Sequence, residues 1–446
     1  MNGMQDDNTQ DPIPVTVIGL GHVGLITALG LAELGCSVTG TDADEEKLAL
    51  IQDGQVPFYE PGLPEALRRH LDAGRFSPLA DIDQAIQGAT AVFVCVGTPE
   101  KPGGAADLAA VERVAMTIAR NRNGYKLVVS KSTTPVMTTQ RMSATIDRYG
   151  EQSPEFDVAC NPEFLREGSG WHDFLHPDRV VLGVSSDRAR DLLLRIYEPL
   201  DCPKVVTDPG TAELIKHAAN AFLSTKISFI NMVADLCEAT GADVTKVAEA
   251  IGLDPRIGPA FLSPGIGFGG YCLPKDIRAF ISVGETHGVD FSLLAEVERI
   301  NLSRIDRLVS RLKETMWVLE GKTVAVLGLS FKDGTDDLRE SPSLGVVERL
   351  LAEGALLRLY DPQAMDAART LHPERAGVLT YAGSPYEAAQ GAHALLLLTV
   401  WDEFRDLDWK RIRELMDVPL IGDARNLLDP ATLRGLGFEY FSVGRP

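Results

Sequence analysis

The sequence predicts an α/β fold in which two Rossmann-like, doubly wound domains are joined by a long central helix and a helical dimerisation segment. Short apolar stretches alternate with amphipathic ones over residues 14–208, and the alternation resumes at Lys322. Such alternation is typical of parallel sheets covered by helices. Between the two regions the sequence has helical periodicity only. We therefore predict three domains, residues 1–208, 209–318 and 319–446.

The predicted strands are short apolar runs rich in β-branched residues. In the first domain they are PVTVIG (14–19), SVTGTD (37–42), AVFVCVGT (91–98), KLVVSKST (126–133), DVACN (157–161) and RVVLGV (179–184). In the last domain they are KTVAVLGL (322–329), ALLRLYDP (355–362), HALLLLTVW (393–401) and PLIGDA (419–424). The two sets form a weak internal repeat, because VTVIGLG matches VAVLGLS and VTGTD matches LRLYD.

A single long helix is predicted to follow the first domain. Asp208 can cap this helix, Pro209 suits its first position and Gly241 suits its end. Apolar residues recur at helical spacing between them, which predicts about 30 helical residues spanning about 45 Å. We expect this helix to connect two domains. More helical sequence follows to about Val318, and we expect this middle segment to form the interface of a homodimer or a higher homo-oligomer.

Charge and cysteine content limit the partners and the location of this protein. The 446 residues carry a net charge of −20, which argues against nucleic acid or an anionic membrane as the main partner. The apolar run ALLLLTV, residues 394–400, is far shorter than the ~20 residues that span a bilayer. Six scattered cysteines without a C-x-x-C motif favour a reducing, cytoplasmic location. The polar start MNGMQDDNTQDP predicts a frayed tail instead of a signal peptide.

The stretch GLGHVG predicts a dinucleotide site. Gly19, Gly21 and Gly24 fit the G-x-G-x-x-G pattern, which here follows a predicted strand and opens a predicted helix. The glycines let the backbone approach a pyrophosphate, and the helix N-terminus favours its negative charge. Asp42 ends the next predicted strand, where a carboxylate can bind ribose hydroxyls and repel a 2′-phosphate. The sequence therefore predicts NAD as the cofactor.

The corresponding loop of the last domain is charged instead of glycine-rich. After VAVLGL comes SFKDGTDDLRESPS, with Lys332 and Arg339 where the later glycines would be. Side-chain cations can bind phosphate where bare backbone does so in the first domain. We therefore expect this loop to contact a phosphate group.

The stretch GFGGYCLPKD, residues 267–276, contains a candidate nucleophile. Cys272 precedes Pro274, which we predict to be the first residue of a helix. A thiol at a helix N-terminus near Lys275 is expected to have a depressed pKa and to be reactive. The glycines before it leave space for a ligand, so we expect Cys272 to be functional.

Further candidate residues come in pairs spaced four apart. Lys216 and Asn220 form such a pair on the long helix, where this spacing places both side chains on one face. Glu163 and Glu167, in NPEFLREG, follow a predicted strand, at the sheet edge where ligands bind in this fold. The histidines of HDFLH, residues 172–176, lack a third ligand and precede a helix-disrupting proline, so we predict no metal site.

These motifs together resemble the UDP-glucose/GDP-mannose dehydrogenase family over nearly the whole chain. The resemblance lies in nine collinear segments: GLGHVG (19–24), VCVGTP (94–99), SKSTTP (130–135), NPEFLREG (161–168), FLHPDRVVLG (174–183), ELIKHAANAFLSTKISFIN (213–231), DPRIG (254–258), GFGGYCLPKD (267–276) and LSFKDGTDDLRESPS (329–343). It implies an NAD domain, a helical dimerising centre and a C-terminal domain that binds the nucleotide of a sugar substrate. It also implies four-electron oxidation of a nucleotide-linked hexose C6 alcohol to the uronic acid, via a Cys272 thiohemiacetal and thioester.

The resemblance also implies roles for individual residues. Lys216 and Asn220 would stabilise oxygen charge, Asp276 would orient that lysine or a water, and Glu163 and Thr133 would serve the proton and water steps. Positions that contact the cofactor in the family correspond to Gly19, Gly21, Val23, Gly24, Asp42, Lys47, Thr98, Thr133, Glu167 and Arg339. Positions that contact the substrate correspond to Phe164, Leu165, Glu167, Lys216, Asn220, Arg256, Phe261, Gly269, Phe331, Lys332 and Arg425. Arg256 is expected to reach across a dimer.

The substrate and the reaction class leave alternatives. DPRIG and GGYCLPKD resemble the UDP-glucose branch, which makes UDP-glucose the main expectation, whereas FLSPGIGFGG resembles the GDP-mannose branch. GDP-mannose and TDP-glucose are therefore alternative substrates. A two-electron hydroxyacid dehydrogenase of the same architecture would need the lysine and asparagine but no thiol. An NAD-binding scaffold without turnover is the alternative from another class.

Overall fold

The computed structural model describes residues 11–150 and 155–446, and the chain forms two units that divide between Lys216 and His217. Nearly all of the predicted N-terminal tail lies outside the described residues. Each unit contains one sheet. The two-sheet α/β fold with a long central helix confirms the predicted fold class.

The first unit contains an eight-stranded sheet in the order β3-β2-β1-β4-β5-β6-β7-β8. Its strands are β1 (Pro14–Ile18), β2 (Ser37–Thr41), β3 (Phe76–Pro78), β4 (Ala91–Val94), β5 (Lys126–Ser130), β6 (Phe156–Cys160), β7 (Val180–Gly183) and β8 (Lys204–Thr207). Its helices are α1 (His22–Glu33), α2 (Glu45–Gln52), α3 (Leu63–Asp72), α4 (Ile82–Gly88), α5 (Ala109–Asn121), α6 (Thr138–Tyr149), α7 (Gly170–Leu175) and α8 (Asp187–Ile196).

The sequence predicted a parallel sheet, but this sheet is not entirely parallel. The strands β6 and β7 pair antiparallel through Cys160 and Gly183, whereas β7 and β8 pair parallel. The last two strands therefore run opposite to the other six. A parallel pair needs a crossover that returns the chain to the same end of the sheet. The β6–β7 connection contains only the six-residue helix α7 and makes no such return.

The second unit contains a six-stranded, all-parallel sheet in the order β11-β10-β9-β12-β13-β14. Its strands are β9 (Thr323–Leu327), β10 (Leu356–Tyr360), β11 (Leu379–Tyr381), β12 (Ala394–Leu397), β13 (Leu420–Asp423) and β14 (Glu439–Ser442). Its strand order repeats that of the first six strands of the other sheet, which is the doubly wound order of dinucleotide-binding folds. Val324 and Val326 belong to one apolar core and Ala325 and Leu327 to another, so both faces of this sheet are buried.

The helix α9 (Pro209–Thr240) begins in the first unit and ends in the second. The side chain of Asp208 accepts a hydrogen bond from the backbone N–H of Thr211 at 2.9 Å, which confirms the predicted cap. The other helices of the second unit are α10 (Val244–Gly252), α11 (Cys272–Thr286), α12 (Ser292–Met316), α13 (Pro342–Ala352), α14 (Met365–Leu371), α15 (Pro385–Ala389), α16 (Asp402–Arg405), α17 (Trp409–Leu415) and α18 (Pro430–Gly435). The start of α11 was predicted at Pro274 and lies at Cys272 instead.

Candidate active site

The glycine turn between β1 and α1 is closely packed at Gly19 and Gly24 and leaves open space at Gly21. The backbone N–H of Gly19 donates to the carbonyl of Thr41 at 2.8 Å, and Gly19 has a φ of 91°. A Cβ on Gly24 would overlap the carbonyl of Gly19, so only glycine lets α1 pack so closely on the turn. Apart from its chain neighbours, a Cβ on Gly21 would meet no heavy atom of the described residues within 4 Å. This open space in front of a helix N-terminus fits a pyrophosphate.

Asp42 follows β2 and joins this turn to α2. One carboxylate oxygen accepts the backbone N–H of Leu20 at 2.6 Å and lies 3.1 Å from the ammonium of Lys47. The other oxygen accepts the N–H of Asp44 at 2.9 Å. The structure thus brings together Asp42 and Lys47, two residues predicted to contact the cofactor. Asp361 holds the backbone N–H of Leu329 in the same way in the second unit, at 2.7 Å.

The loops after β4 and β5 meet through two further predicted residues. The hydroxyl of the buried Thr98 donates to the carbonyl of Thr133 at 2.9 Å. Both loops leave the sheet at the carboxyl ends of its strands, where ligands bind in this fold. Val23 lies in the first turn of α1 and is half-buried.

Glu163 and Lys216 form a buried ion pair in the first unit. Their charged atoms lie 2.9 Å apart, and both side chains are almost fully buried. The other oxygen of Glu163 accepts the N–H of Leu165 at 2.6 Å. The ring of Phe164 lies 5.5 Å from the Lys216 ammonium and 3.8 Å from the guanidinium carbon of Arg179. A buried charge pair of this kind can hold or move a proton.

Sequence reasoning missed Lys131, which is buried in the first unit. Its ammonium donates to the side-chain oxygen of Asn161 at 3.0 Å, and Asn161 begins the NPEFLREG segment. Burial lowers the pKa of Lys131 to about 8, although the neighbouring thiol of Cys95 and carboxylate of Glu163 oppose this shift. The signal that could have found Lys131 is its place in SKSTTP, two residues before Thr133. Glu167, further along NPEFLREG, is half-buried.

In the second unit, Cys272 is the first residue of α11 and is partly exposed. One turn later lies Asp276, which is 1% exposed. Its carboxylate accepts from the amide of Asn220 at 2.6 Å and lies 2.6 Å from the ammonium of Lys275. Sequence reasoning named Lys275 only as a neighbour of the thiol and missed this pair. The role of Asp276 in orienting Lys216 or a water stays a prediction.

The glycine run before Cys272 is packed too closely to accept side chains. A Cβ on Gly269 would overlap the carbonyl of Glu340, and one on Gly270 would lie 2.8 Å from the ring of Phe331. The N–H of Gly270 donates to the carbonyl of Arg339 at 3.1 Å. The structure therefore brings Gly269 and Phe331, two predicted substrate contacts, to the same loop cluster.

Two asparagines that sequence reasoning missed hold this glycine run in place. The side-chain oxygen of Asn301, on α12, accepts from the N–H of Phe268 at 2.8 Å, and its amide donates to the carbonyl of Phe268 at 2.9 Å. The side-chain oxygen of Asn231, on α9, accepts from the N–H of Gly265 at 2.8 Å. Because both contacts are made to backbone, no pattern in the glycine run itself identifies these residues.

The charged loop after β9 and the loop after β13 carry the remaining predicted cations. The guanidinium of Arg339 pairs with Asp337 and lies 4.4 Å from the ring centroid of Tyr271. The ammonium of Lys332 lies 5.8 Å from the ring centroid of Phe331. These cations are held beside aromatic rings next to the glycine run.

Arg425 reaches the glycine run from the loop after β13. It donates to the carbonyls of Gly267 at 3.0 Å and Leu398 at 2.8 Å. Its remaining terminal nitrogen is buried without a hydrogen-bond partner among the described residues, and burial lowers the pKa of Arg425 to about 10. An anionic group of a ligand could satisfy this nitrogen.

Arg256 and Phe261 lie on the segment after α10. Phe261 has a φ of 63°, in the left-handed region. The Arg256 side chain is 87% exposed and pairs with Asp254, two residues away.

The described ranges contain neither a metal-binding cluster nor a membrane-spanning helix. Among residues 11–150 and 155–446, no group of three or more His, Cys, Asp or Glu side chains could hold a metal ion. The rings of His172 and His176 lie 4.9 Å apart. In the same part of the chain, no helix combines the length and apolar character needed to cross a membrane.

Three family models match successive parts of the chain. They are described as the NAD binding domain, the central domain and the UDP binding domain of the UDP-glucose/GDP-mannose dehydrogenase family, and they match residues 13–201, 210–303 and 325–430. The chain belongs to this family. It is an NAD-dependent dehydrogenase, which confirms the predicted enzyme class and cofactor.

Relatives of this family member are similar over nearly the whole chain. The UDP-glucose 6-dehydrogenase of Pseudomonas aeruginosa is 43% identical over 96% of this chain and 97% of its own length. The enzyme of the same name from Rhizobium meliloti is 42% identical over 97% of this chain and 99% of its own. A solved UDP-glucose dehydrogenase structure from Pyrobaculum islandicum is 38% identical, covers 98% of this chain and 99% of its own, and superposes with a TM-score of 0.91.

The matched domains divide the candidate residues of this dehydrogenase. The NAD binding domain contains the glycine turn, Asp42 and Glu163, and the open space at Gly21 fits the cofactor. The UDP binding domain contains Phe331, Lys332, Arg339 and Arg425, which supports a nucleotide-sugar substrate. The individual residue roles stay predictions.

Proposed function

We propose that this dehydrogenase oxidises carbon 6 of UDP-glucose to a carboxylate, forming UDP-glucuronate through a covalent intermediate on Cys272. The observation that carries the proposal is the place of Cys272. It is a partly exposed thiol at the start of a 15-residue helix, two residues after the last glycine of the run. The dipole of this helix favours the thiolate, which is the nucleophilic form.

The proposed reaction balances with one thiol and one water. The Cys272 thiolate adds to the C6 aldehyde formed by the first oxidation, and the resulting thiohemiacetal retains both hydrogens needed for the second. The second oxidation gives a thioester, and water cleaves it to the carboxylate and the free thiol. Bound NAD supplies the oxidation by accepting a hydride in each step, so one sugar yields two NADH.

Buried polar side chains suit the accompanying charge changes. Asn220 offers an amide that Asp276 holds in place at 2.6 Å, and this amide can stabilise developing oxygen charge. Lys216, paired with Glu163, can donate to an oxygen while Glu163 accepts a proton. We propose that Thr133, whose carbonyl is tied to Thr98, helps to place the water.

The experiment that tests this proposal is a panel of UDP-, TDP- and GDP-hexoses with NAD, followed by the absorbance of reduced nicotinamide. We expect turnover with UDP-glucose and two NADH for each sugar consumed. One NADH per sugar would support the two-electron alternative. NAD binding without reduction by any nucleotide sugar would support the scaffold alternative and end the proposal.

We further propose that the enzyme is a homodimer. Along α9, large apolar side chains recur on one face and are exposed, with Phe222 at 66% and Leu236 at 65%. The members of this apolar stripe are Phe222, Phe229, Met232 and Leu236. Seven-residue spacing suits a helix that packs against the same helix of a second copy. The exposed Arg256 would then serve the substrate site of the partner.

A cytoplasmic location is also part of the proposal. The chain contains six cysteines, and no disulfide joins any of them in the described residues, which suits a reducing compartment. Fractionation of cells, with the chain followed by antibody, tests the location directly, and recovery from a secreted fraction would contradict it.

A further inference from the structure

Glu60 is a buried carboxylate that neither the motifs nor the proposed reaction includes. It lies between α2 and α3, and its side chain is fully buried. A buried carboxylate is costly unless its oxygens accept hydrogen bonds. The groups that hydrogen-bond to Glu60 therefore indicate which segments this residue holds in place.

Those partners belong to two segments of the candidate active site. One oxygen lies 2.8 Å from Nε2 of His22, the first residue of α1 within GLGHVG. The same oxygen accepts the N–H of Gly168, the last residue of NPEFLREG, at 2.8 Å. The other oxygen accepts the N–H of Trp171 at 3.3 Å. Glu60 thus connects the nucleotide-binding end of α1 to the segment that contains Glu163 and Glu167.

Packing around this carboxylate restricts both connections. The ring of His22 stacks on Phe58 at 4.1 Å, so its position is defined by the same segment that carries Glu60. Gly62, two residues later, has a φ of 80° and approaches Trp171, whose Cδ1 would lie 3.1 Å from a Cβ at this position. The segment 58–62 therefore holds the start of α1 on one side and residues 168–171 on the other.

We propose that Glu60 is a positioning residue that couples NAD binding at the glycine turn to the geometry of the NPEFLREG segment. A cofactor that orders the start of α1 would order this segment through the shared carboxylate. The coupling rests on the proposed function only in the roles given to Glu163 and Glu167. The structural coupling itself requires only that the protein binds NAD.

The direct test is hydrogen exchange measured by mass spectrometry with and without saturating NAD. We expect NAD to slow exchange in the wild-type protein at the start of α1 and also over residues 163–171. In Glu60→Gln, saturating NAD should still protect the start of α1, but the protection of residues 163–171 should fall to what a direct contact at Glu167 provides. Equal protection of residues 163–171 in both proteins would overturn the proposal.

A kinetic test adds a measure that a purely structural role would not produce. We expect Glu60→Gln and His22→Leu each to lower kcat/KM for NAD by about tenfold, and the double variant to be no worse than either. His22→Gln, which retains a donor, should stay within about threefold of wild type. Additive losses in the double variant would contradict the coupling. His22 is partly exposed, so its variants keep the test valid if Glu60→Gln unfolds.

The chain offers a matched control at the other end of α1. Glu33 accepts from Nε2 of the buried His70 at 2.7 Å, in the same kind of carboxylate–histidine pair. Glu33→Gln should leave both the NAD-dependent protection of residues 163–171 and kcat/KM for NAD unchanged. If Glu33→Gln also lost that protection, the effect of Glu60→Gln would be due to a general loosening of the first unit. If the wild-type protein oxidises no nucleotide sugar, the proposed function fails, while the exchange measurement still decides the role of Glu60.

Discussion

At the residue scale, the same kind of side chain takes on different chemistry through its surroundings. Cys95 and Cys160 are buried, and burial raises the pKa of the Cys95 thiol to about 12 and that of Cys160 still further. Cys272 is partly exposed at a helix N-terminus. The two buried thiols are therefore poor nucleophiles, whereas Cys272 remains the candidate nucleophile.

Replacing Cys272 by serine tests the covalent step. The hydroxyl is a far weaker nucleophile than a thiolate, so we expect Cys272→Ser to lose at least about a thousandfold in UDP-glucuronate formation. NAD affinity should be unchanged, because the glycine turn is intact. Product analysis and a cofactor titration measure the two effects. Cys202→Ser, at a half-buried thiol of the first unit, is the control. Formation of UDP-glucuronate by Cys272→Ser at the wild-type level would refute the covalent step.

Lys131 makes stability depend on pH in a defined window. Its pKa is lowered by burial from an ordinary 10.5 to about 8, so the folded state releases this proton first. Below pH 8 the lysine is charged in both states and the cost of its burial is fully present. Between about pH 8 and 10.5 the unfolded state binds more protons, so the free energy of unfolding rises with pH.

Replacing Lys131 by a side chain without an ammonium should remove this rise in the free energy of unfolding. In Lys131→Met, the free energy of unfolding should gain less between pH 7.5 and 9.5 than in wild type, by about 1–2 kcal/mol. Urea unfolding at both pH values measures the difference. Lys410→Met, at an exposed position on α17, should follow the wild-type pH dependence. A parallel pH dependence in Lys131→Met and wild type would contradict this assignment.

At the element scale, helix side chains define the loop that precedes the thiol. Asn231 on α9 and Asn301 on α12 bind the backbone of residues 265–268. The glycines of this segment contribute no side chains, whereas Ile266 and Phe268 pack in apolar cores. The backbone of residues 265–268 is held in addition by donors and acceptors from these helices.

Truncating Asn301 should loosen this loop without removing any reacting group. Asn301→Ala leaves the backbone groups of Phe268 without partners, which costs about 1–3 kcal/mol of unfolding free energy. We expect kcat/KM for the nucleotide sugar to fall about tenfold, with NAD affinity retained. Chemical denaturation and steady-state kinetics provide the two measurements. Asn123→Ala, on the surface of the first unit, should change neither quantity. An unaltered kcat/KM in Asn301→Ala would show that this loop is not part of the active site.

The elements themselves differ in how far the sequence predicted them. The long helix α9 was predicted with its cap and its end, because Asp208, Pro209 and Gly241 act locally. The strands β3, β8, β11 and β14 were missed; they are the edge strands of the two sheets, which pair on one side only and carry shorter apolar runs than the central strands. The direction of β7 was also missed, as pairing partners are not encoded in a short apolar run.

At the scale of the whole molecule, the homodimer proposal predicts that two inactive variants restore each other. If Arg256 serves the partner's site, Cys272→Ser and Arg256→Ala are each inactive as homodimers. A mixed dimer would contain one site with both residues intact. After random subunit exchange we expect about a quarter of wild-type activity, because half of the dimers are mixed and one of their two sites is complete.

Complementation is measured by mixing the two purified variants under conditions that allow exchange and following NADH formation. The control is the same mixture with Leu236→Glu in both chains, since a charge on the apolar stripe should prevent dimer formation. Light scattering reports the oligomeric state of each sample. Absence of restored activity in fully exchanged dimers would place Arg256 outside the partner's site.

The sequence by itself determined the two α/β halves, the long helix, the NAD turn and the candidate thiol. Each of these follows from residues close together in the chain: periodicity, caps, or glycines at fixed spacing. Tertiary structure alone decided which buried groups support them. Lys131 meets Asn161 30 residues away, Asn301 meets Phe268 33 residues away, and Glu60 meets Gly168 108 residues away. Such partners are brought together by the packing of sheets and helices, and no local pattern records which distant backbone group a buried side chain will meet.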